Sequence, residues 1–228
     1  MVLIQAAKAV KPDQNEPPTT PTRDETLLMV SRVQSGDPAA ADDLVRRMSG
    51  RVLGMILLRM GPELRRRVDA EDLLQEVWLE AFRSLDRFDA GRGTPFGAWL
   101  STIVKRMISR ALRGGPAPVL ASQQGGADPH STRISQILTR ELEDSTPSMR
   151  FSRRESVEKL VEAVNQLPPE QREVVSGYWF EECNAAEIAN RLQKSRGAVY
   201  MVLMRANRAL AAAIKDAGMS DPAAWRSP

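Results

Sequence analysis

The side chains of this chain best suited to chemistry are cations. Lys105, Arg106, Arg110 and Arg113 lie in FGAWLSTIVKRMISRALR, and Arg191, Lys194, Arg196, Arg205 and Arg208 lie in EIANRLQKSRGAVYMVLMRANRAL, residues 187–210. Clustered guanidinium and ammonium groups at helical spacing bind phosphates; they do not make or break covalent bonds. An acidic stretch precedes them: from Asp69 to Asp89 there are seven acids against two arginines, whereas Ser101 to Arg113 holds four bases and no acid. Ala185 to Asp216 holds six bases against two acids. The net charge of +3 conceals this segregation, which suits a chain that meets a basic protein surface with one helix and a nucleic acid with two others.

Covalent chemistry has no such support. The single Cys183 excludes an internal disulfide, the single His130 has no partner residues around it, and no Cys/His cluster has the spacing of a zinc site. No Gly-rich phosphate cradle followed by Lys occurs, and no nucleophile stands with a base. We therefore expect no enzyme, no cofactor and no metal. Cysteine usage fits a reducing compartment, and no apolar run approaches the roughly 20 residues that span a bilayer, so a cytoplasmic protein without membrane insertion is expected.

The elements that position these residues can be derived from periodicity. Apolar residues make up 42% and aromatics only 5%, so cores must rest on Leu, Val, Ile, Ala and Met, and apolar positions recur every three or four residues rather than at alternate ones. The expectation is an all-α chain of two small helical domains. A Pro/Thr-rich tail over 1–24 cannot bury enough apolar surface to fold. A helical region over 25–113 precedes a Gly/Pro/Ser-rich linker over 114–151, a second region over 152–216 and a short tail over 217–228. TRISQILTRELED could form a short helix inside the linker. Helices are expected near 25–35, 38–60, 69–86 and 95–113, then near 153–166, 169–180, 185–192 and 196–215. Asp37 before Pro38 and Thr94 before Pro95 read as N-caps with proline at the first helical position. Asn184 with Glu187 has the spacing of a capping box.

Within 69–86, Leu73, Val77, Ala81 and Leu85 form an inward stripe with Leu74, Trp78 and Phe82 beside it, leaving Asp72, Gln75, Glu76 and Glu80 facing out. After it comes FDAGRGTP, a glycine-loosened loop. The helix beyond the loop is anchored by Phe96 and Trp99, and its charges are all positive. Such a loop before a basic helix can hold an extruded single-stranded base. In the last stretch, two helices joined by a turn read as a helix-turn-helix. Val199, Val202, Leu203, Ala206, Ala209 and Leu210 share one face that packs on Ile188, Ala189 and Leu192. The opposite face carries Arg196, Gly197, Tyr200, Met201, Met204, Arg205 and Arg208. The N-terminal part of the second helix enters the major groove in this motif, so Arg196, Gly197, Tyr200 and Met201 are placed to meet bases, and Arg191, Lys194, Arg205 and Arg208 to meet phosphates.

DAEDLLQEVWLEAF followed by FGAWLSTIVKRMISRALR resembles conserved region two of the extracytoplasmic-function sigma factors, the promoter-recognition subunits of bacterial RNA polymerase. LPPEQREVV followed by residues 187–210 resembles their region four, and the two regions stand in the family's order and spacing. The resemblance implies a sigma factor that binds core polymerase, recognises promoter DNA and promotes open-complex formation. Asp72, Leu73, Gln75, Glu76 and Val77 would bind the clamp helices of the largest polymerase subunit, and region four the flap of the second-largest. Asp89, Arg92, Lys105, Arg106, Arg110 and Arg113 would engage the melted minus-ten element. Arg191, Lys194, Ser195, Arg196, Gly197, Tyr200, Met201, Arg205 and Arg208 would bind the minus-thirty-five duplex. An anti-sigma factor is a further partner that the resemblance admits.

The chain departs from the family at several positions. Many relatives carry Asn at the position of Arg106 and Asp at that of Ser109, a basic then a small polar residue at Tyr200 and Met201, and a basic residue at Asn207. The absence of two phosphate-binding cations predicts weaker and less salt-sensitive duplex binding, at about 0.9 of salt slope per phosphate. Met201 and Tyr200 could contact thymine methyls, or the Met pair could bind a protein; both remain open. The alternative function is a helix-turn-helix regulator, or a polymerase-binding adaptor without sigma activity.

Overall fold

The computed structural model describes residues 22–114 and 161–216, with residues 155, 158 and 159. The N-terminal tail as far as residue 21, the linker beyond Gly114, the helix expected in TRISQILTRELED and the tail beyond 216 lie outside the described residues. Every regular element among the described residues is helical, in agreement with the apolar periodicity.

Helix α1, Thr22–Gln34, starts three residues before the expected boundary, so Arg23 and Asp24 belong to a helix rather than to the tail. Helix α2, Pro38–Arg59, starts as expected: Asp37 accepts from the amides of Ala39 and Ala40, and Pro38 occupies the first position. A single turn, α3, covers Pro62–Arg65. Helix α4, Ala70–Arg83, is capped by Asp69, whose Oδ1 accepts from Glu71 N at 2.8 Å. It stops short of the expected 86 because Ser84 Oγ turns back onto the carbonyl of Glu80 at 2.6 Å, and a 3-10 turn, Leu85–Arg87, comes next. Helix α5 covers Phe96–Leu112. Helix α2 forms the centre of this first domain, packed by α1, α4 and α5.

In the second domain, residues 161–165 are helical, and α6 covers Pro169–Val175. The single helix expected over 169–180 widens instead into a π-helical turn, Ser176–Phe180, in which Glu181 N reaches back to Ser176 O at 3.1 Å. Such a turn adds a residue to the helical circuit and re-aims the chain beyond it. Tyr178, Trp179 and Phe180 are all buried as a result. Helix α7, Ala185–Leu192, carries the expected capping box in full: Glu187 N donates to Asn184 Oδ1 at 2.9 Å, and Asn184 N donates to Glu187 Oε2 at 2.7 Å. Gln193, at φ +53°, makes the turn into α8, Arg196–Asp216.

The cores are aliphatic, as the composition requires, with a few aromatic anchors. Trp78, Phe96, Leu44, Met48, Met55, Ile56 and Leu100 are fully buried. The Trp78 indole donates to Ser49 Oγ at 3.1 Å, so its one polar atom is satisfied.

The two domains are not separate bodies. Phe180 lies against α2 at Gly54, where a Cβ would come within 2.3 Å of its ring. The backbone from Phe180 to Glu181 lies against the first turn of α5 at Gly97, where a Cβ would meet carbonyl atoms at 2.8 and 2.9 Å. The two glycines are what allow this approach.

Candidate nucleic-acid interface

On α4, the outward set is narrower than the periodicity suggests. Asp72 is exposed and Gln75 half-buried, but Glu76 is buried at 6% exposure, and Leu73 and Val77 are core residues. The correction concerns Glu76: burial pushes its carboxyl up to about 7, against the pull of Arg110 and with the push of Asp72. It is buried near Arg110 of α5, so it does not present a charge to a partner. The accessible acids of this face are Asp72, Glu71 and Glu80, and Glu80 is paired with Arg106 at 2.5 Å.

The loop after α4 is exposed from Asp89 to Thr94. Asp89 Oδ1 accepts from Gly91 N at 2.8 Å, a 3-10 turn covers Ala90–Arg92, and Gly93 adopts the left-handed φ of +73°. Arg92 lies 3.4 Å from Asp89 on the exposed side. Thr94 does not cap the next helix: α5 begins one residue after Pro95, and the Gly97 amide donates instead to Glu182 Oε2 at 3.2 Å. Phe88, Phe96 and Trp99 form an aromatic cluster with centroids 5.2 to 5.4 Å apart, and Trp99 is its half-buried member, next to the loop. Lys105, Arg106 and Arg113 are exposed along α5, and Arg110 is half-buried beside Glu76.

The helix-turn-helix has the expected division of faces. Val199, Val202, Leu203, Ala206 and Leu210 are buried, with Ile188 and Ala189 opposite them; Ala209, placed on the inward face by its angle, is exposed at the edge. Arg196, Gly197, Met201, Met204, Arg205 and Arg208 are exposed and Tyr200 is half-buried. Ser195 is engaged as a cap, its Oγ accepting from Ala198 N at 3.2 Å. Met201 is 53% exposed, an unusual position for a large apolar side chain.

Two further cations are engaged within the chain. Lys194 pairs with Glu170 at 2.6 Å. Arg191 donates to Glu181 Oε2 at 2.6 Å and lies 3.3 Å from Glu173, and although burial works against its charge, these carboxylates hold it firmly protonated. Asn207 is not a phosphate position in this chain. It is buried, and its Oδ1 accepts from the Trp179 indole at 3.3 Å, so the departure from a basic residue here serves a core hydrogen bond.

Reasoning from sequence missed the groups that join the two domains. Glu181 and Glu182 lie buried between α2, α5 and α7. Arg51 donates to Glu182 Oε1 at 2.5 Å, Arg59 and Ser101 Oγ donate to Glu181 Oε1 at 2.9 and 2.8 Å, and Thr26 Oγ1 donates to Glu182 Oε1 at 3.1 Å. Burial pushes the Glu181 carboxyl up, but Arg191, Ser101 and Arg59 outweigh it and hold it below the usual carboxylate range. Arg23 adds an outer bridge, 3.0 Å to Glu187 of α7 and 2.6 Å to the Gly93 carbonyl of the loop. The visible signal was the acidic pair in YWFEEC, directly after an aromatic run.

This order of parts has relatives. Residues 44–115 match the family model for sigma-70 region 2, and residues 163–212 match that for sigma-70 region 4. The chain is 34% identical over 178 residues to the RNA polymerase sigma factor CarQ of Myxococcus xanthus, covering 74% of this chain and 90% of that one. It belongs to the sigma-70 family, in the extracytoplasmic-function group. The ECF sigma factor BldN of Streptomyces coelicolor is 28% identical over 196 residues, which span 83% of this chain and 66% of BldN. The sigma-H factor of Pseudomonas aeruginosa is 27% identical over 201 residues, spanning 85% and 96%. The first domain of this sigma factor is therefore its region two and the second its region four. As a promoter-recognising sigma factor it acts in transcription initiation.

Proposed function

We propose that this sigma factor docks on core RNA polymerase through the outward side of α4, at the exposed Asp72 and the half-buried Gln75. The loop Asp89 to Pro95, with Lys105, Arg106, Arg110 and Arg113, receives the melted minus-ten strand. Helix α8 enters the major groove of the minus-thirty-five duplex. The observation that carries the reading is the α8 face: Arg196, Gly197, Met201, Arg205 and Arg208 stand exposed on the side opposite the buried Val199, Val202 and Leu203. A helix held by one apolar face and open along a cationic one fits a groove.

The mechanism is binding without catalysis. The factor favours the melted promoter because its region-two loop and basic helix meet single-stranded DNA that the closed duplex does not present, and differential affinity shifts the population. Arg196, at the first position of α8, is the base-reading candidate; Arg205 and Arg208, further along the helix, reach the backbone. Arg106 is free for DNA only after it exchanges Glu80 for a phosphate, a trade between two exposed charged partners that costs little.

Run-off transcription with core polymerase over a promoter library tests the function and reads the specificity together. Transcripts are expected from a subset of promoters, and their absence from every promoter would overturn the reading. Arg196→Ala should weaken promoter-specific binding by about 1 to 3 kcal/mol while leaving non-cognate duplex binding nearly unchanged. Equal losses on all duplexes would reassign Arg196 to the backbone.

A further inference from the structure

The two domains are held by a cluster of groups that suits an anion. Arg51 and Arg59 from α2, Ser101 Oγ from α5 and the Gly97 amide in the first turn of α5 all donate into one buried place, and the carboxylates of Glu181 and Glu182 fill it. Glu181 and Glu182 are 3% and 2% exposed, and Arg51 is 9% exposed. Glu182 holds its position at φ +57°, in the left-handed region that favours glycine. Two adjacent buried acids, one of them on left-handed backbone, are a poor choice for stability alone, because a buried ion pair often gives no more than a well-packed apolar pair would.

The closed arrangement cannot serve a promoter. Elements some 25 base pairs apart are separated by about 85 Å at roughly 3.4 Å per base pair. Helix α2, with 22 residues, is only about 33 Å long at 1.5 Å per residue, and here region four touches it directly. Region four must leave region two before both elements are bound. When it leaves, Arg51 and Arg59 lose their carboxylates beside the start of α5, next to the strand-holding loop. Arg191 loses Glu173 and Glu181 only if those side chains rearrange, since all three belong to region four.

We propose that Arg51, Arg59, Ser101 and the Gly97 amide form a phosphate seat for the melted DNA strand, and that Glu181 and Glu182 plug this seat in the closed chain. The proposal rests on the sigma-factor reading and adds to it a site outside the expected minus-ten set, together with the device that keeps it shut. Closure and capture of the strand compete for the same donors. A phosphodiester satisfies the two guanidinium groups as a carboxylate does, through charge-assisted hydrogen bonds, and the helix N-terminus favours either anion.

Cys183 is a built-in reporter of the plug. It is the only cysteine, it is buried beside Glu182, and its thiol is pushed up to about 12 by burial, then by Glu181 and Glu187 against Arg191 and Arg23. Opening uncovers it on the side of Arg23 and speeds its alkylation; because Glu181→Gln by itself also removes a charge that pushes the thiol up, the Gly97→Ala arm, which keeps that charge, is the one that reads opening alone. The test uses the full-length chain and a fluorescent oligomer of about 12 thymidines, within the usual span of a single-strand binding site, titrated at several salt concentrations with Cys183 alkylation measured in parallel. The double variant Glu181→Gln, Glu182→Gln should alkylate faster and bind the oligomer at least about tenfold more tightly than the parent, as expected when a competing anion is removed. Adding Arg51→Gln and Arg59→Gln should abolish that gain and lower the salt slope by about 0.7 for each phosphate no longer held. This last arm separates the seat from Arg191, which Glu181→Gln also releases. Gly97→Ala, which opens the chain by collision instead of by charge, should likewise alkylate faster and bind more tightly.

Faster alkylation with an affinity indifferent to Arg51 and Arg59 would overturn the seat. Unchanged alkylation in both the Gln and the Gly97 variants would overturn the plug. Parent protein that still gives run-off transcripts in either case leaves the sigma-factor reading standing, whereas parent protein that gives none overturns both.

Discussion

Glu182 accepts a hydrogen bond from Arg51 at 2.5 Å although the two stand 131 positions apart in the chain, and both side chains are almost sealed from water. Removing one partner of such a pair usually leaves a buried, uncompensated charge at a cost of about 3 to 5 kcal/mol. Here the chain has a less costly exit, because Arg51 regains water if region four detaches. Glu182→Ala should therefore split one cooperative thermal transition into two, one per domain, with region two little changed in its own melting temperature. Calorimetry would show this, and a single transition displaced downward would mean that the domains cannot separate.

Gly97→Ala makes a signed prediction because two effects oppose each other. In region two by itself the substitution favours α5 by up to about 1 kcal/mol, the ordinary gain of alanine over glycine in a helix. In the full chain the new Cβ meets the carbonyl atoms of Phe180 and Glu181 at 2.8 to 2.9 Å, and backbone cannot swing aside as a side chain can. The domain contact should weaken while region two melts at a slightly higher temperature. Small-angle scattering should report a larger radius of gyration.

Glu76 gives a pH dependence whose direction can be worked out. Its carboxyl is raised from 4.5 to about 7 in the folded chain, so the folded state holds a proton there that the unfolded state has already released. That contribution is fully present below about pH 4.5 and is lost as pH rises through about 7. Glu76→Gln, which stays neutral, should be nearly neutral to stability at about pH 4.5 and stabilising by about 3 kcal/mol at about pH 8, at roughly 1.36 kcal/mol for each pH unit between the two values. Urea denaturation at the two pH values checks it. A variant destabilised at the higher pH would show that the ionised form has a partner in Arg110 strong enough to offset its burial.

Asn207 should behave as a core residue and not as a DNA contact. Asn207→Ala leaves the Trp179 indole N–H unpaired in a buried place, at a cost of about 1 to 3 kcal/mol. The affinity for duplex DNA should stay the same once the protein is folded. Weakened duplex binding with an unchanged melting temperature would restore Asn207 to the DNA-facing set.

The residues that were legible in the sequence share a property: their placement depends on local geometry. Asp37 with Pro38, and Asn184 with Glu187, are caps whose groups lie within one helical turn. The buried Val199, Val202, Leu203 and Leu210 are placed by an angle of about 100° per residue, and the exposed Arg196, Arg205 and Arg208 are what remains on the other side. Even here the edges slipped, since an angle does not say how far a neighbouring helix covers a face. Ala209 came out, and Glu76 went in, near Arg110 of α5.

By itself, then, the sequence determined most of the helices, most of their inward and outward faces, the order of an acidic helix before a basic one, and the family to which these belong. Only the tertiary structure decided that region four closes onto region two. No local pattern marks Gly54 and Gly97 as the seat of Phe180 and Glu181, or pairs Arg51 with a glutamate 131 positions away. Helix periodicity reports which side of an element avoids water, and that is a property of neighbours in the chain. Which carboxylate neutralises which buried arginine is fixed by the cost of leaving either one unpaired, and that cost appears only when distant segments are brought together.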